Sequence, residues 1–171
     1  NMLIEQVRLH AHEWSRRTLA EELLTLARQK FERERQPGVV RHAEQFFSDI
    51  TDGRYHQVYA PLGEQTITVT DHTGGGKKPS ELSRGTREQL FLALRFGLVR
   101  ELDERAERLP VVVDEVLVNF DPARALRTAL AFVELSQTNQ VLAFTCHPLM
   151  VEQFQTAAVK AGAPEPQVIE L

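Results

Sequence analysis

Apolar positions recur at roughly helical spacing over residues 3–35, at Leu3, Val7, Trp14, Leu19, Leu23, Leu26, Ala27 and Phe31. The stretch holds no glycine or proline and is rich in Leu, Ala, Glu and Arg, so it predicts one long charged helix. Its heptad is imperfect. His10, Arg17, Glu21 and Arg28 fall where a strict seam requires apolar groups. Spacing therefore leaves two readings open: an amphipathic helix packed on its own domain, or the root of a coiled-coil arm. Gln36-Pro37-Gly38 breaks this helix. A second helix, residues 39–50, places Ala43, Phe46, Phe47 and Ile50 on one side. Asp52-Gly53 signals a turn. Residues 54–60 and 65–70 alternate and carry Tyr, Val, Ile and Thr, the pattern of two strands joined by Pro61-Leu62-Gly63-Glu64. Residues 71–80, with three glycines, predict a flexible loop.

The second half has a different rhythm. A strong helix is expected over 86–107, followed by a short, nearly continuous apolar strand at 109–114, the pattern of a strand buried on both faces. Residues 122–137 predict a helix, 140–145 another buried strand, 149–161 a helix and 167–171 a last strand. This alternation points to an α/β fold with a parallel sheet flanked by helices.

Composition narrows the class. The chain of 171 residues is one domain's worth and long enough to bury a core. A single cysteine, Cys146, rules out an internal disulfide framework. The longest apolar runs, 90–94 and 129–133, are five residues, against the roughly 20 needed to span a membrane. Glu5 and Arg8 interrupt any signal-peptide core. Asn1 ahead of Met2 reads either as an added residue or as the start of a piece excised from a longer chain. The 20 basic and 24 acidic residues, net −4, argue against a protein that coats nucleic acid with overall charge. A local basic face stays open.

Five short patterns carry candidate chemistry. Gly74-Gly75-Gly76-Lys77-Lys78 imitates a phosphate-binding P-loop but fails its spacing. Asp71 stands where the first glycine is needed, and Lys78 supplies no hydroxyl for Mg²⁺. The chain therefore has no Walker A motif. Ser83-Arg84-Gly85, at the start of the strong helix, offers exposed N–H groups and the positive end of the helix dipole to an anion. Taken alone, the stretch reads first as an ordinary capping box, with Ser83 as the cap. Asp114-Glu115 ends a buried apolar strand, where two adjacent carboxylates are costly without a purpose. A Walker B pair stands in such a place, although a hydrophobic run ending in Asp-Glu is common. Asp121-Pro122 is a helix start with proline at its first position. His147 follows a buried strand at the carboxyl edge of the sheet, where α/β proteins place ligands. A lone histidine there is also an ordinary structural residue, and Cys146 reads as a small buried hydrophobe.

Order and spacing join these signals. The stretches LSRGTREQLFLALR and LPVVVDEVLVNFD, with DGRYHQV before them, make the chain resemble the C-terminal ATPase lobe of SMC-like ABC ATPases. That group includes SbcC-type and RecN-type repair proteins, and the closest likeness is to bacterial YhaN-like large ATPases. The resemblance implies a coiled-coil root at residues 1–35 and an ATPase lobe at 36–171. It implies an ATPase that hydrolyses ATP at a head–head dimer interface. Ser83, Arg84 and Gly85 would be the signature touching ATP in trans, and Asp114 would hold Mg²⁺ through water. Glu115 would be the catalytic base, Asp121 the D-loop residue and His147 the switch histidine. Arg84 replaces a glycine of the common LSGG form, Thr86 replaces Gln or Glu, and Val116 stands where many relatives have proline. Arg84 thus either reaches phosphate or faces solvent. The absent Walker A implies that an N-terminal lobe, on the same or a separate chain, completes the site and that the isolated chain is inactive. Implied partners are a second head, DNA and, in some members, a nuclease subunit. The implied place is the cytoplasm, with association with the nucleoid open. Arg16, Arg17, Arg33 and Arg35 are candidate DNA contacts or simply a solvated face. A non-catalytic scaffold with the same fold is the alternative.

Overall fold

The computed structural model describes residues 2–34, 36–61 and 66–170. The expected connection at Leu62-Gly63-Glu64, together with Gln65, Arg35 and Leu171, lies outside these, as do the side chains of Leu3, Arg28, Phe31 and Arg33. The chain divides into two compact units, Asn1–Gln36 and Pro37–Leu171.

The first unit is a single helix, α1 (Met2–Glu34). Between residues 6 and 27 every side chain except that of Thr18 is exposed, including Val7, Trp14, Leu19, Leu23 and Leu26. Arg16 and Arg17 are exposed as well.

The second unit is built on two packed helices. Helix α2 (Gly38–Ile50) buries Val40, Ala43, Phe46, Phe47 and Ile50, a stripe at helical spacing that includes the four expected apolar positions. It packs on α3 (Arg84–Asp103). The helices meet at Gly97, where a Cβ would collide with the Val39 carbonyl and stand 2.8 Å from the amide nitrogen of Ala43. Only glycine admits so close an approach. At the end of α2, the carboxamide of buried Gln89 donates to the Ile50 carbonyl at 2.9 Å, and Arg127 donates to the same oxygen at 3.4 Å. The last carbonyls of a helix lack intrahelical partners, and these side chains supply one.

An antiparallel meander covers α2. Strand β1 (Tyr55–Tyr59) pairs with β2 (Thr68–Asp71), Val58 opposite Val69, and β2 pairs with β3 (Gly76–Lys77). Residues 71–80, expected as a loop, thus contain a short strand and a 3₁₀ turn at Pro79–Glu81. The reason is Lys77, whose ammonium reaches the buried Asp71 carboxylate at 2.5 Å. That pair, with the hydroxyl and N–H of Thr73, holds the Asp71 carboxyl well below the usual carboxylate range and raises Lys77.

The parallel pair is β4 (Val111–Asp114) and β5 (Val141–Phe144), in register from Val111–Val141 to Asp114–Phe144. Helices α4 (Pro122–Ser136) and α5 (Pro148–Ala161) follow the two strands. An aromatic chain ties the helices together. Phe46, Phe96, Phe132 and Phe154 stand 4.8, 4.7 and 5.9 Å apart in successive pairs. Helix α5 ends at Gly162, in the left-handed conformation at φ 63°, with Ala163 donating back to Ala158. This is the usual glycine-dependent helix stop.

Two further expectations are corrected. The strands β4 and β5 are not buried on both faces. Val111, Val113 and Val141 pack on the core, while Val112, Leu142 and Phe144 are exposed, because no described element lies over that side. Residues 167–170 form no strand; Val168 and Ile169 are exposed and unpaired in any ladder. A strand needs a neighbour to satisfy its N–H and C=O groups, and none runs beside this segment among the described residues.

Candidate functional site

Strand β4 delivers Asp114 and Glu115 to the carboxyl edge of the parallel pair. The ladder extends one residue beyond the strand, with Glu115 donating its N–H to the Phe144 carbonyl at 3.0 Å. There the backbone turns abruptly. Glu115 has φ 49°, a left-handed conformation uncommon for a side chain with Cβ and concentrated at functional sites. The turn sends its carboxylate back to the end of β5. One oxygen accepts from the Cys146 N–H at 2.7 Å, and the other accepts from the Thr145 hydroxyl at 3.1 Å. Thr145 in turn accepts from the His147 N–H at 3.0 Å, and His147 Nε2 stands 3.8 Å from Glu115. The Cys146 N–H, then its thiol, hold the Glu115 carboxyl below its usual value against the opposing effect of burial, with smaller help from the Thr145 hydroxyl and from His147. Donation to Glu115 pushes the Cys146 thiol up. Asp114 is exposed beside this cluster, and so is Cys146, which is not the buried hydrophobe its neighbours in sequence suggest.

A second cluster forms where α3 and α4 begin. Ser83 caps α3, its hydroxyl accepting from the Thr86 N–H at 3.3 Å and lying 2.7 Å from the Thr86 hydroxyl. The acid or amide of a full capping box is absent, because Thr86 occupies the position that would return the bond. Arg84 turns along its own helix to Glu88, at 3.0 Å, and is largely exposed. Asp121 caps α4 through the Arg124 N–H at 3.0 Å and pairs with the Arg124 guanidinium at 3.1 Å. That guanidinium covers Gly85 so closely that a Cβ there would stand 2.7 Å from its Nη1.

No family model matches the chain. It is 31% identical over 159 residues to the uncharacterized protein YhaN of Bacillus subtilis (strain 168), a match covering 91% of this chain and 16% of that relative's length. Among solved structures it is similar to an SMC ATPase from work on ATP-driven dimerization and DNA-stimulated activation. The identity is 16% and the TM-score 0.56, over 68% of this chain and 71% of that one. A second is the Smc head domain of Pyrococcus furiosus with an extended coiled coil, bound to the C-terminal domain of ScpA. Identity there is 17% and the TM-score 0.54, over 69% of this chain and 30% of that chain. The fold is that of an SMC-like ATPase C-terminal lobe.

Within this lobe the singled-out residues fall into two groups. Asp114, Glu115 and His147 meet at one edge; Ser83, Arg84, Gly85 and Asp121 gather at two neighbouring helix starts. Sequence reasoning gave no role to Thr145 or Arg124. Thr145 had a faint signal as a hydroxyl ending a strand beside His147. Arg124 had none, because its approach to Gly85 comes from a separate helix. A groove of about 480 Å³ between α4 and the 161–164 segment contains none of these residues; Asp114, Cys146 and His147 are exposed at the strand edge. Among the described residues no helix is long and apolar enough to cross a membrane.

Proposed function

We propose that this lobe supplies half of an SMC-like ATPase head, binding and hydrolysing ATP between two heads in DNA repair or maintenance. The observation that carries this reading is Glu115. A carboxylate in a left-handed turn, 3.8 Å from an exposed histidine and at the carboxyl edge of a parallel sheet, suits a group that orients an attacking water. His147 stands near enough to hydrogen-bond the same water or a phosphate oxygen. Ser83 and Gly85 present the N–H groups and dipole of α3 to phosphate of a nucleotide on the opposing head. Asp121 and Arg124 link that helix start to the start of α4, where a D-loop crosses between heads.

Mg²⁺ fits the exposed oxygen donor Asp114, with nucleotide phosphates and water completing its shell. Its chemistry when bound is to neutralise charge developing on the phosphates. The bare apolar face of β4 and β5 supports completion by a Walker A-bearing lobe, since such strands are normally covered on both sides. Exposed apolar side chains along α1 support a partner helix in a coiled coil. DNA is the polymer that we assign to the assembly, with a nuclease subunit as a further partner and the cytoplasm as its place.

The test joins this chain to its Walker A-bearing lobe and measures ATP hydrolysis. The chain alone is expected to be silent and the joined head active. Glu115→Gln should slow hydrolysis by about 10²–10⁴-fold while ATP-dependent pairing of heads persists. Hydrolysis by Glu115→Gln at the parent rate, or micromolar ATP binding by the lone chain, would overturn the assignment.

A further inference from the structure

The Glu115 edge carries a second chemistry that ATP hydrolysis does not use. A carboxylate oxygen of Glu115, the Cys146 sulfur and a ring nitrogen of His147 all lie within 4.8 Å of one another. We propose that these three side chains form a zinc site, with water in the fourth position.

The donor set decides the metal. Sulfur and imidazole are soft or borderline ligands, suited to Zn²⁺ and poorly suited to Mg²⁺, which prefers oxygen. Zinc bonds of about 2.0–2.3 Å at tetrahedral angles put ligand atoms roughly 3.3–3.6 Å apart. His147 Nε2 is already 3.8 Å from the Glu115 oxygen, and the remaining separations close by side-chain rotation. Rotation is available because Cys146 and His147 are exposed and Glu115 is partly so. Backbone bonds hold the frame meanwhile. The parallel ladder fixes Glu115 against the end of β5, and the two other ligands are adjacent in sequence. Binding exchanges the Cys146 thiol proton, released to solvent, for the metal.

The His42, Glu101 and Glu104 cluster on α2 and α3 is a weaker competitor. It has no sulfur, and Glu101 is already paired with Arg105. At the Glu115 edge, metal and water compete for one carboxylate, so zinc switches off the general base. That consequence rests on the ATPase reading; the binding of zinc does not.

The test titrates the untagged 171-residue chain, kept reduced with a phosphine, with ZnCl₂ in a calorimeter and with CoCl₂ in a spectrophotometer. One equivalent of zinc should bind. Cobalt should give a thiolate-to-metal absorption in the near ultraviolet. Cys146→Ser should remove that absorption and weaken zinc by more than the roughly 10–100-fold that outer-shell changes cost, with helical content and melting temperature unchanged. His147→Ala should weaken zinc comparably, and His42→Gln should leave it as it was. No stoichiometric zinc binding, equal binding by Cys146→Ser, or binding lost only in His42→Gln would each overturn the site. No hydrolysis is measured, so absence of zinc binding leaves the ATPase reading standing, and failure of that reading leaves the zinc result standing.

Discussion

The two sheets of the lobe are built from similar residues and end in opposite states. The β1–β2–β3 meander closes on itself. Val58 and Val69 are fully covered, Asp71 and Lys77 satisfy each other, and α2 seals the back. The β4–β5 pair is open. Val112, Leu142 and Phe144 face outward, Glu115 sits in a left-handed turn, and Asp114, Cys146 and His147 around it are exposed. One sheet is finished by the chain itself, and the other presents apolar surface and strained chemistry at an unfinished edge. A closed sheet and an open one thereby stand within the residues of unit 2, Pro37–Leu171.

The sharpest test of that contrast is aromatic. Phe96 is 2% exposed and touches Phe46 and Phe132, whereas Phe144 is 47% exposed. Phe96→Ala should lower unfolding free energy by about 3–5 kcal/mol in urea titrations. Phe144→Ala should change it by less than about 1 kcal/mol in the same chain. Equal losses at the two positions would erase the distinction between closed and open regions.

Next in size is the seam joining the closed region. Gln89→Leu leaves the Ile50 carbonyl with only its long bond from Arg127, and should cost about 1–3 kcal/mol. A neutral result in thermal melts would show that the α2 end needs no such partner.

A smaller effect, of opposite sign, is expected at the open edge. Glu115→Gly relieves the left-handed turn but loses the carboxylate bonds, so stability should stay level or rise by up to about 1 kcal/mol. Hydrolysis in the joined head should fall with it. Marked destabilisation would make Glu115 a structural residue and blur the contrast.

The gentlest test reads pH. Asp71 is held below its ordinary 3.8, so its support is full above that value and is lost as pH falls through the depressed one. Lys77 is raised above its ordinary 10.5, so its support is full below that value and is lost as pH rises through the raised one. Lys77→Met should shrink the acid arm and remove the alkaline arm of the stability profile. An unchanged profile would show that the meander closes without this pair.

Much of this was legible in the chain. Residues 39–50 announce their buried face because helical periodicity records which side meets a core. Pro122, Pro148 and Gly162 mark their helix boundaries because each restricts or frees the backbone locally. The Asp-Glu pair and His147 were visible by their places at strand ends. The P-loop imitation at Gly74–Lys78 could be rejected on spacing, but the partner of Lys77 could not be named, because Asp71 is reached only when β2 and β3 fold together. The sequence allows Arg84 to reach phosphate or to face solvent, and its bond to Glu88 depends on which rotamer α3 allows.

By itself, then, the sequence determined the five helices, the strands at 55–59, 68–71, 111–114 and 141–144, the α2 core face and the order of chemical groups, because these follow from local backbone preference and apolar period. Only the tertiary structure decided that β4 and β5 keep a bare face, since an apolar strand reads the same whether or not another layer exists to cover it. It also decided the surroundings of Glu115. Its partners lie some 30 residues away, and the parallel register of β4 with β5, which no local pattern encodes, brings them together.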